Sequence, residues 1–233
     1  PYKEELIKIL INNEKVISIY QNINNKDTSI VLGSKSIKSY GEDRIIDYIG
    51  EYKFLISPKS FFQVNPIQTQ ILYDKVVEYL DLKGNETVVD LYCGIGTIAI
   101  YISKYAKKVY GVEIVKEAIG DAKENLKLNN VNNVEFIRGK SEDILPKLNS
   151  KRRKIDSIIV DPPRKGLDKT LIASIIKANP EKIIYVSCNP STLARDLGYL
   201  RGEGYKVEEV QPVDMFPMTV HVECIALIQR EIM

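Results

Sequence analysis

Thr87-Val-Val-Asp-Leu-Tyr-Cys-Gly-Ile-Gly-Thr97 is the stretch whose reading decides the fold. Val88 and Val89 form a short β-branched run that closes on Asp90. Two glycines follow, Gly94 and Gly96, and then an apolar segment from Ile98 to Ile102. The order reads as strand, tight glycine loop, helix. Glycine has no Cβ and tolerates positive φ, so the backbone of such a loop can approach a ligand closely. A ligand held there sits at the C-terminal end of a parallel strand, beside a helix N-terminus.

Two cofactors fit this loop. Gly94-Ile-Gly96-Thr-Ile-Ala99 matches the dinucleotide fingerprint, with Ala in the third place. Asp90 argues against that choice, because a carboxylate at the strand end faces a pyrophosphate unfavourably. It suits S-adenosylmethionine, which carries an ammonium and a sulfonium and no phosphate. The next strand, Lys108–Glu113, ends in an acid, Glu113, placed for a ribose diol. A glycine turn in a dinucleotide-binding or unrelated α/β fold is the competing reading, and the loop favours adenosylmethionine over it.

Outward from this centre, β and α patterns alternate. Ile67, Ile71, Leu72, Val76, Tyr79 and Leu80 form an apolar helical stripe from Pro66 onward. After the central strand come Val109–Val112, a helix over Val115–Leu128, a strand at Val134–Ile137 and a short helix around Ile144–Leu148. Lys154–Val160 is a strand, Leu171–Lys177 a helix, Lys182–Ser187 a strand and Ser191–Leu200 a helix. Strands at Tyr205–Val210 and Val220–Gln229 close the chain. Strict alternation argues a doubly wound, Rossmann-like parallel α/β sheet. The closing pair has no helix between its members, so the last strand is expected to run antiparallel.

Residues 1–65 have a different texture. Val16–Tyr20, Ile30–Leu32, Arg44–Ile49 and Tyr52–Ile56 read as short strands, with Asn22–Asn25 a loop and Gly50-Glu51 a hairpin turn. This part reads as a small β-rich region, the remnant of a central β-rich domain, ahead of a second domain at 66–233. At the junction, Phe61 and Phe62 are adjacent aromatics followed by Gln63. At least one Phe is expected to anchor the junction in the core. The functional reading is a lip over the cofactor pocket, with Gln63 supplying an amide.

Three further constellations carry chemistry. Asp161-Pro-Pro163 ends the fourth sheet strand on the same edge as the glycine loop, and its prolines stiffen the turn. Enzymes that methylate exocyclic amines have an aromatic residue after the related motif. Here Arg164-Lys-Gly follows, which disfavours that chemistry and hints at phosphate contact. Cys188, in Ser187-Cys-Asn-Pro190, falls at the end of the fifth strand, with Asn189 a candidate N-cap and Pro190 suited to the first helical position. A helix N-terminus is expected to lower the thiol pKa and favour thiolate. Glu223 alternates onto the face of Ile225 and Leu227, where a carboxylate is costly and a raised pKa suits a general base. His221, the single histidine, shares that face and reads as structural, as do Cys93 and Cys224. Lys151-Arg-Arg-Lys154 reads as a solvated loop.

Composition sets the remaining bounds. The 233 residues are 44% hydrophobic and 27% charged, with a formal net charge of +2, so any basic surface is local. No apolar run reaches membrane-spanning length. Three widely spaced cysteines form neither a disulfide framework nor a zinc site, which points to a reducing, cytoplasmic setting. With no signal peptide and no initiator Met before Pro1, the chain is expected to be part of something longer.

The chain resembles the RNA (uracil-C5-)-methyltransferase family, enzymes that make 5-methyluridine in ribosomal or transfer RNA. The segments that carry the resemblance are Phe61-Phe-Gln-Val-Asn65, Asp90-Leu-Tyr-Cys-Gly-Ile-Gly96, Asp161-Pro-Pro-Arg-Lys-Gly166, Ser187 to Asp196 and Met215 to Glu223. The resemblance implies Cys188 as nucleophile and Glu223 as proton acceptor. It implies an adenosylmethionine site lined by Gln63, Tyr92, Glu113 and Asp161, to which the loop reading adds Asp90, Gly94 and Gly96. It implies an RNA substrate, with 23S ribosomal RNA expected over transfer RNA. Lys59, Phe61, Phe62, Arg164 and Arg195 are candidate RNA contacts, and Gln63 is also a candidate donor to the enolate oxygen. The departure is at the N-terminus. Members commonly carry an upstream RNA-binding β-barrel, and many an iron–sulfur cluster on cysteines near it, and neither is in this chain. The rivals are a methyltransferase acting on cytosine C5 or an exocyclic amine, and a non-catalytic RNA-binding module that keeps the fold.

Overall fold

The computed structural model describes residues 2–25, 32–33, 35–150 and 154–231. Seven strands build the main sheet: β5 (Thr87–Leu91), β6 (Lys108–Glu113), β7 (Val134–Arg138), β8 (Ser157–Val160), β9 (Lys182–Ser187), β10 (Tyr205–Val213) and β11 (Glu223–Arg230). Their spatial order is β10-β11-β9-β8-β5-β6-β7. β5 to β9 are mutually parallel, and β11 runs antiparallel to both β9 and β10. The chain winds outward from β5 through β6 to β7, then restarts on the other side of β5 with β8. The topological switch therefore lies between β5 and β8, at whose C-terminal ends a crevice opens.

Helices α2 (Pro66–Leu80), α3 (Thr97–Ile102), α4 (Lys116–Leu128), α5 (Ser141–Ser150), α6 (Lys169–Ala178) and α7 (Pro190–Arg201) cover the two faces. The central strand shows why both faces are apolar. Val88 points into one core with Leu72, Val76 and Ile100, and Val89 and Leu91 point into the other with Leu145, Leu171 and Tyr185. A parallel strand covered by helices on both sides needs such a continuous hydrophobic run.

The N-terminal part departs most from the sequence reading. A helix that the sequence pattern missed spans Lys3–Ile11 (α1) and buries none of its residues. The first strand, expected at Val16–Tyr20, is β1 (Ser18–Ile23), and it pairs with an unanticipated β2 (Lys35–Gly41). Asn22 was expected in a loop but lies inside β1. Its side chain bridges the ribbon, accepting from the Gly33 N–H at 2.7 Å and donating to Ser36 Oγ at 2.9 Å. Of the strand expected at Ile30–Leu32, residues 30 and 31 lie outside the described residues, and Leu32 sits in a bend.

The second ribbon, β3 (Ile45–Ile49) and β4 (Tyr52–Ile56), is the anticipated hairpin about Gly50-Glu51. It shares the core of the sheet. Ile49 and Phe54 are fully buried, each contributing roughly 1.5–3 kcal/mol. The free edge of β4 is satisfied by α4. Asn125 Oδ1 accepts from the Leu55 N–H at 2.7 Å, and Asn129 Oδ1 accepts from the Lys53 N–H at 2.9 Å. Arg44 adds an ion pair to Glu124. Phe62 packs on Phe54 with ring centroids 6.1 Å apart and is the aromatic that anchors the junction, whereas Phe61 stands 72% exposed.

Candidate active site

The loop after β5 is built by left-handed backbone. Tyr92, Gly94 and Gly96 all have positive φ, at 66°, 54° and 85°. At Gly96 a Cβ would come within 2.2 Å of the Phe136 ring, so both φ and space demand glycine. At Gly94 the space is open, and the requirement is φ together with an N–H that donates to Glu113 Oε2 at 3.2 Å. The other carboxylate oxygen of Glu113 accepts from the Val115 N–H at 2.8 Å, which fixes the acid at the end of β6.

A cleft of about 740 Å³ opens at this edge of the sheet. Phe61, Gln63, Tyr92, Gly94, Glu113, Asp161, Arg164, Cys188 and Glu223 all line it. A small adjoining cavity reaches inward to Asp90 and Phe62. Gly96 lies behind the wall as the N-cap of α3. Lys59 is exposed and does not line the cleft. Arg195 is not a lining residue either. Its guanidinium donates to Asp196 Oδ1 at 2.8 Å and to the Lys165 carbonyl at 3.0 Å. The far wall holds residues that the sequence reading passed over: Ile114, Lys140, Ser141, Glu142 and Asp168. A signal for three of them was present, because everything just after Val134–Ile137 must lie at the C-terminal edge of a parallel sheet.

Two polar side chains at the cleft floor lack partners. Asp90 is fully buried and neither carboxylate oxygen has a hydrogen-bond partner. Burial raises its pKa well above the usual carboxylate range, and the nearby Asp161 and Glu113 add to the shift. Gln63 is buried with its Oε1 likewise unpartnered. Burial, with Glu223 adding, pushes Asp161 up to about 7. Glu223 is 4% exposed and raised by burial, with Arg164 opposing. Orphaned buried acceptors cost stability unless a ligand supplies the missing donors.

Cys188 and Glu223 meet because β11 is antiparallel. Cys224 pairs with Ser187 across the β9–β11 ladder, so one step further Glu223 comes opposite Cys188. Asn189 is the N-cap of α7, accepting from the Ser191 N–H at 3.1 Å, with Pro190 at the first helical position. The expected depression of the Cys188 pKa is not what this setting produces. Burial raises it, Glu223 and Asp161 raise it further, and a backbone hydrogen bond and Arg164 oppose. The thiol lies one residue ahead of the cap, so the helix dipole is outweighed by burial and by the two nearby carboxylates. His221 is also corrected. It precedes β11, is exposed, and meets Phe216 edge-on at 6.2 Å rather than sharing the strand face. Of the basic run at 151–154, residues 151–153 lie outside the described residues, and Lys154 is paired with Asp156 and Glu181.

The sequence profile of the tRNA (uracil-5-)-methyltransferase family matches residues 25–231. The chain belongs to that family. An RNA methyltransferase from Clostridium tetani (strain Massachusetts / E88) is 60% identical over 228 residues, 97% of this chain and 50% of that protein. One from Clostridium acetobutylicum is 56% identical over 231 residues, 99% of this chain and 50% of its own length. Among solved structures, the Pyrococcus abyssi tRNA (uracil-54, C5)-methyltransferase in complex with S-adenosyl-L-homocysteine superposes with a TM-score of 0.75 at 35% identity, covering 91% of this chain and 50% of that one. The chain thus spans about half the length of the curated relatives it matches. The methyltransferase fold expected from the glycine loop is the fold observed. Among the described residues no group of three or more His, Cys, Asp or Glu side chains could hold a metal ion, so these residues do not fit an iron–sulfur cluster. Among them, too, no helix is long and apolar enough to cross a membrane.

Proposed function

We propose that the protein containing this chain methylates C5 of a uridine in RNA, using adenosylmethionine, with Cys188 as nucleophile and Glu223 as proton acceptor. The observation that carries the reading is the register that brings Glu223 opposite Cys188 in a cleft beside the buried, unpartnered carboxylate of Asp90. The residues fit the cofactor: the buried, unpartnered oxygens of Gln63 and Asp90 suit a cationic ligand with N–H donors, and the Asp90 carboxylate disfavours a phosphate. When bound, adenosylmethionine supplies an electrophilic methyl group. Gln63, Asp90 and Asp161 would hold its charged end, with Glu113 on the ribose and Tyr92 and Gly94 along the wall. This use of Gln63 Oε1 leaves the enolate to another donor.

Uracil C5 is a poor nucleophile until C6 is attacked. The Cys188 thiol gives its proton to water, Sγ forms a bond to C6, and the electron pair of the C5–C6 double bond moves toward O4 as an enolate. C5 then takes the methyl group. Glu223 removes the C5 proton, the pair re-forms the double bond, and the C6–S bond breaks to release the thiolate. A raised Glu223 pKa makes it the stronger base for this step. The uracil must leave any helical stack to reach the cleft floor. Phe61 and Arg164 stand at the mouth for base stacking and phosphate contact, with exposed Lys59 nearby in sequence.

The test is denaturing electrophoresis of the full-length protein with labelled RNA and cofactor. Glu223→Gln should accumulate a protein–RNA adduct that disappears when Cys188→Ala is added. Turnover by Cys188→Ala would end the covalent mechanism. Mapping 5-methyluridine in 23S ribosomal and transfer RNA, with and without the protein, identifies the substrate. The sequence resemblance leads us to expect the loss in 23S RNA, and loss in transfer RNA alone would replace that expectation.

A further inference from the structure

The fully buried Asp196 and its neighbour Arg195 serve none of the steps above, yet they anchor a polar network beside the cleft. Asp196 Oδ2 accepts from the Leu167 N–H at 2.8 Å and from Tyr185 Oη at 2.8 Å. Its Oδ1 accepts from Arg195 Nε at 2.8 Å. Arg195 Nη2 reaches on to the carbonyls of Lys165 at 3.0 Å and Leu167 at 3.4 Å. One turn earlier on α7, Thr192 Oγ1 donates to the Arg164 carbonyl at 3.2 Å. Asn189 Nδ2 donates to the same carbonyl at 3.0 Å. Asn189, Thr192 and Asp196 recur at helical spacing and so share one face of α7, with Arg195 alongside. The loop is shaped to receive that face. Gly166 has φ of 76°, and a Cβ there would lie 2.6 Å from both Arg195 Nη2 and Asp196 Oδ2.

We propose that this face of α7 is a brace that fixes the 164–167 loop against the residue following the nucleophile. Arg195 and Asp196 are then positioning residues for Arg164, and Arg195 is not a phosphate contact. The physical logic is leverage. Every loop carbonyl named here is held from the helix whose first residue is two places after Cys188, so the Arg164 wall and the thiol keep a constant separation. A planar guanidinium can hold a carboxylate and two carbonyls at once, which a lysine ammonium on a flexible stem cannot reproduce. Asp196 orients that fork as a buried carboxylate, itself fixed by Tyr185. The inference rests on the methylation reading for its kinetic arm, and on geometry alone for its structural arm.

The experiment compares Arg195→Ala, Arg195→Lys, Asp196→Asn and Thr192→Val in the full-length protein. The first readout is hydrogen exchange at the Leu167 amide, which reports the brace whether or not RNA is methylated. It should speed up in the Arg195 and Asp196 variants. The second is kinetics. Arg195→Ala and Arg195→Lys should both raise KM for RNA about ten-fold, while adenosylhomocysteine affinity changes less than about two-fold and the salt dependence of RNA binding keeps its slope. Thr192→Val, which removes one hydroxyl and conserves shape, should give a smaller rise of about two-fold and guards against misfolding of the buried-charge variants. Near-normal activity of Arg195→Lys, with Arg195→Ala lowering the salt slope by about one, identifies a phosphate contact and overturns the brace. Unchanged Leu167 exchange in Arg195→Ala overturns it as well. A protein that methylates no RNA would remove the proposed function, and the exchange result would still decide the brace.

Discussion

The two ends of the sheet are made from similar residues and treat charge in opposite ways. At the N-terminal ends of its parallel strands a groove of about 550 Å³ is lined by Glu86, Lys107, Lys108, Lys154, Asp156 and Glu181. Its acids are engaged. Lys154 pairs with Asp156 at 2.7 Å and with Glu181 at 2.9 Å, Asp156 Oδ2 accepts from the Thr87 N–H at 2.8 Å, and Glu86 accepts from the Lys83 N–H. At the C-terminal ends, Asp90 has no hydrogen-bond partner, Asp161 is raised by burial and by Glu223, and Glu223 is raised by burial. Cavity size does not separate the two ends; unmet electrostatic demand does. The first end uses its charges to hold strands together. The second keeps buried acceptors short of donors, at a cost in stability that a cationic ligand and a substrate proton can offset.

That contrast can be broken most directly at Asp90. Asp90→Asn should leave the fold intact and weaken adenosylhomocysteine binding by about ten-fold or more, because a charge-assisted contact is lost. Calorimetry reads the affinity. Unchanged affinity would place the cofactor elsewhere. The next effect is at Cys188. Burial, with Glu223 and Asp161 adding, holds its pKa up, so alkylation by iodoacetamide should be slow at neutral pH and accelerate above the range of an ordinary thiol. Glu223→Gln removes one of those charges, favours thiolate and should move the alkylation profile to lower pH. Mass spectrometry of the Cys188 peptide follows it against buried Cys93 and Cys224. A profile that moves upward would contradict the charge assignment.

Asp161 gives a smaller effect with a definite pH window. Its folded pKa of about 7 exceeds the unfolded value near 4, so the folded state binds the extra proton between them. The stability tied to that proton is present below about pH 4 and is lost as pH rises through about 7. Asp161→Asn should therefore melt several degrees above the parent at pH 8, and the gap should close toward pH 4. A gap that widens on acidification would reverse the sign. At the opposite end the same kind of substitution should do the reverse. Asp156→Ala removes a hydrogen bond to the β5 backbone and should cost about 1–2 kcal/mol while leaving cofactor affinity unchanged. Lys154→Ala, on an exposed side chain, should shift Tm least of all.

Much of this was legible because sheet proteins expose their logic in one dimension. The alternation around Thr87–Thr97 gives the parallel sheet, and in a parallel sheet every strand's end falls on one edge. Asp90, Glu113, Asp161 and Cys188 group together on the sequence alone for that reason. The N-terminal part was less legible. α1 buries nothing and β2 is largely polar, so neither leaves the hydrophobic period by which elements are recognised. Arg195 looks the same in sequence whether its charge faces solvent or a buried Asp196. Only the partner distinguishes the two.

The sequence by itself determined the fold class, the functional edge of the sheet, and the residue types on it, since periodicity, glycine and proline positions are local properties. The tertiary structure decided what those residues do to one another. It set Glu223 opposite Cys188 through the antiparallel β11, left Asp90 and Gln63 without donors, and turned the expected depression of the thiol pKa into a rise. It also paired Arg195 with Asp196 and the Lys165 carbonyl. The physical reason is that pairing, burial and pKa depend on distances between residues far apart in the chain, and no local pattern encodes those distances.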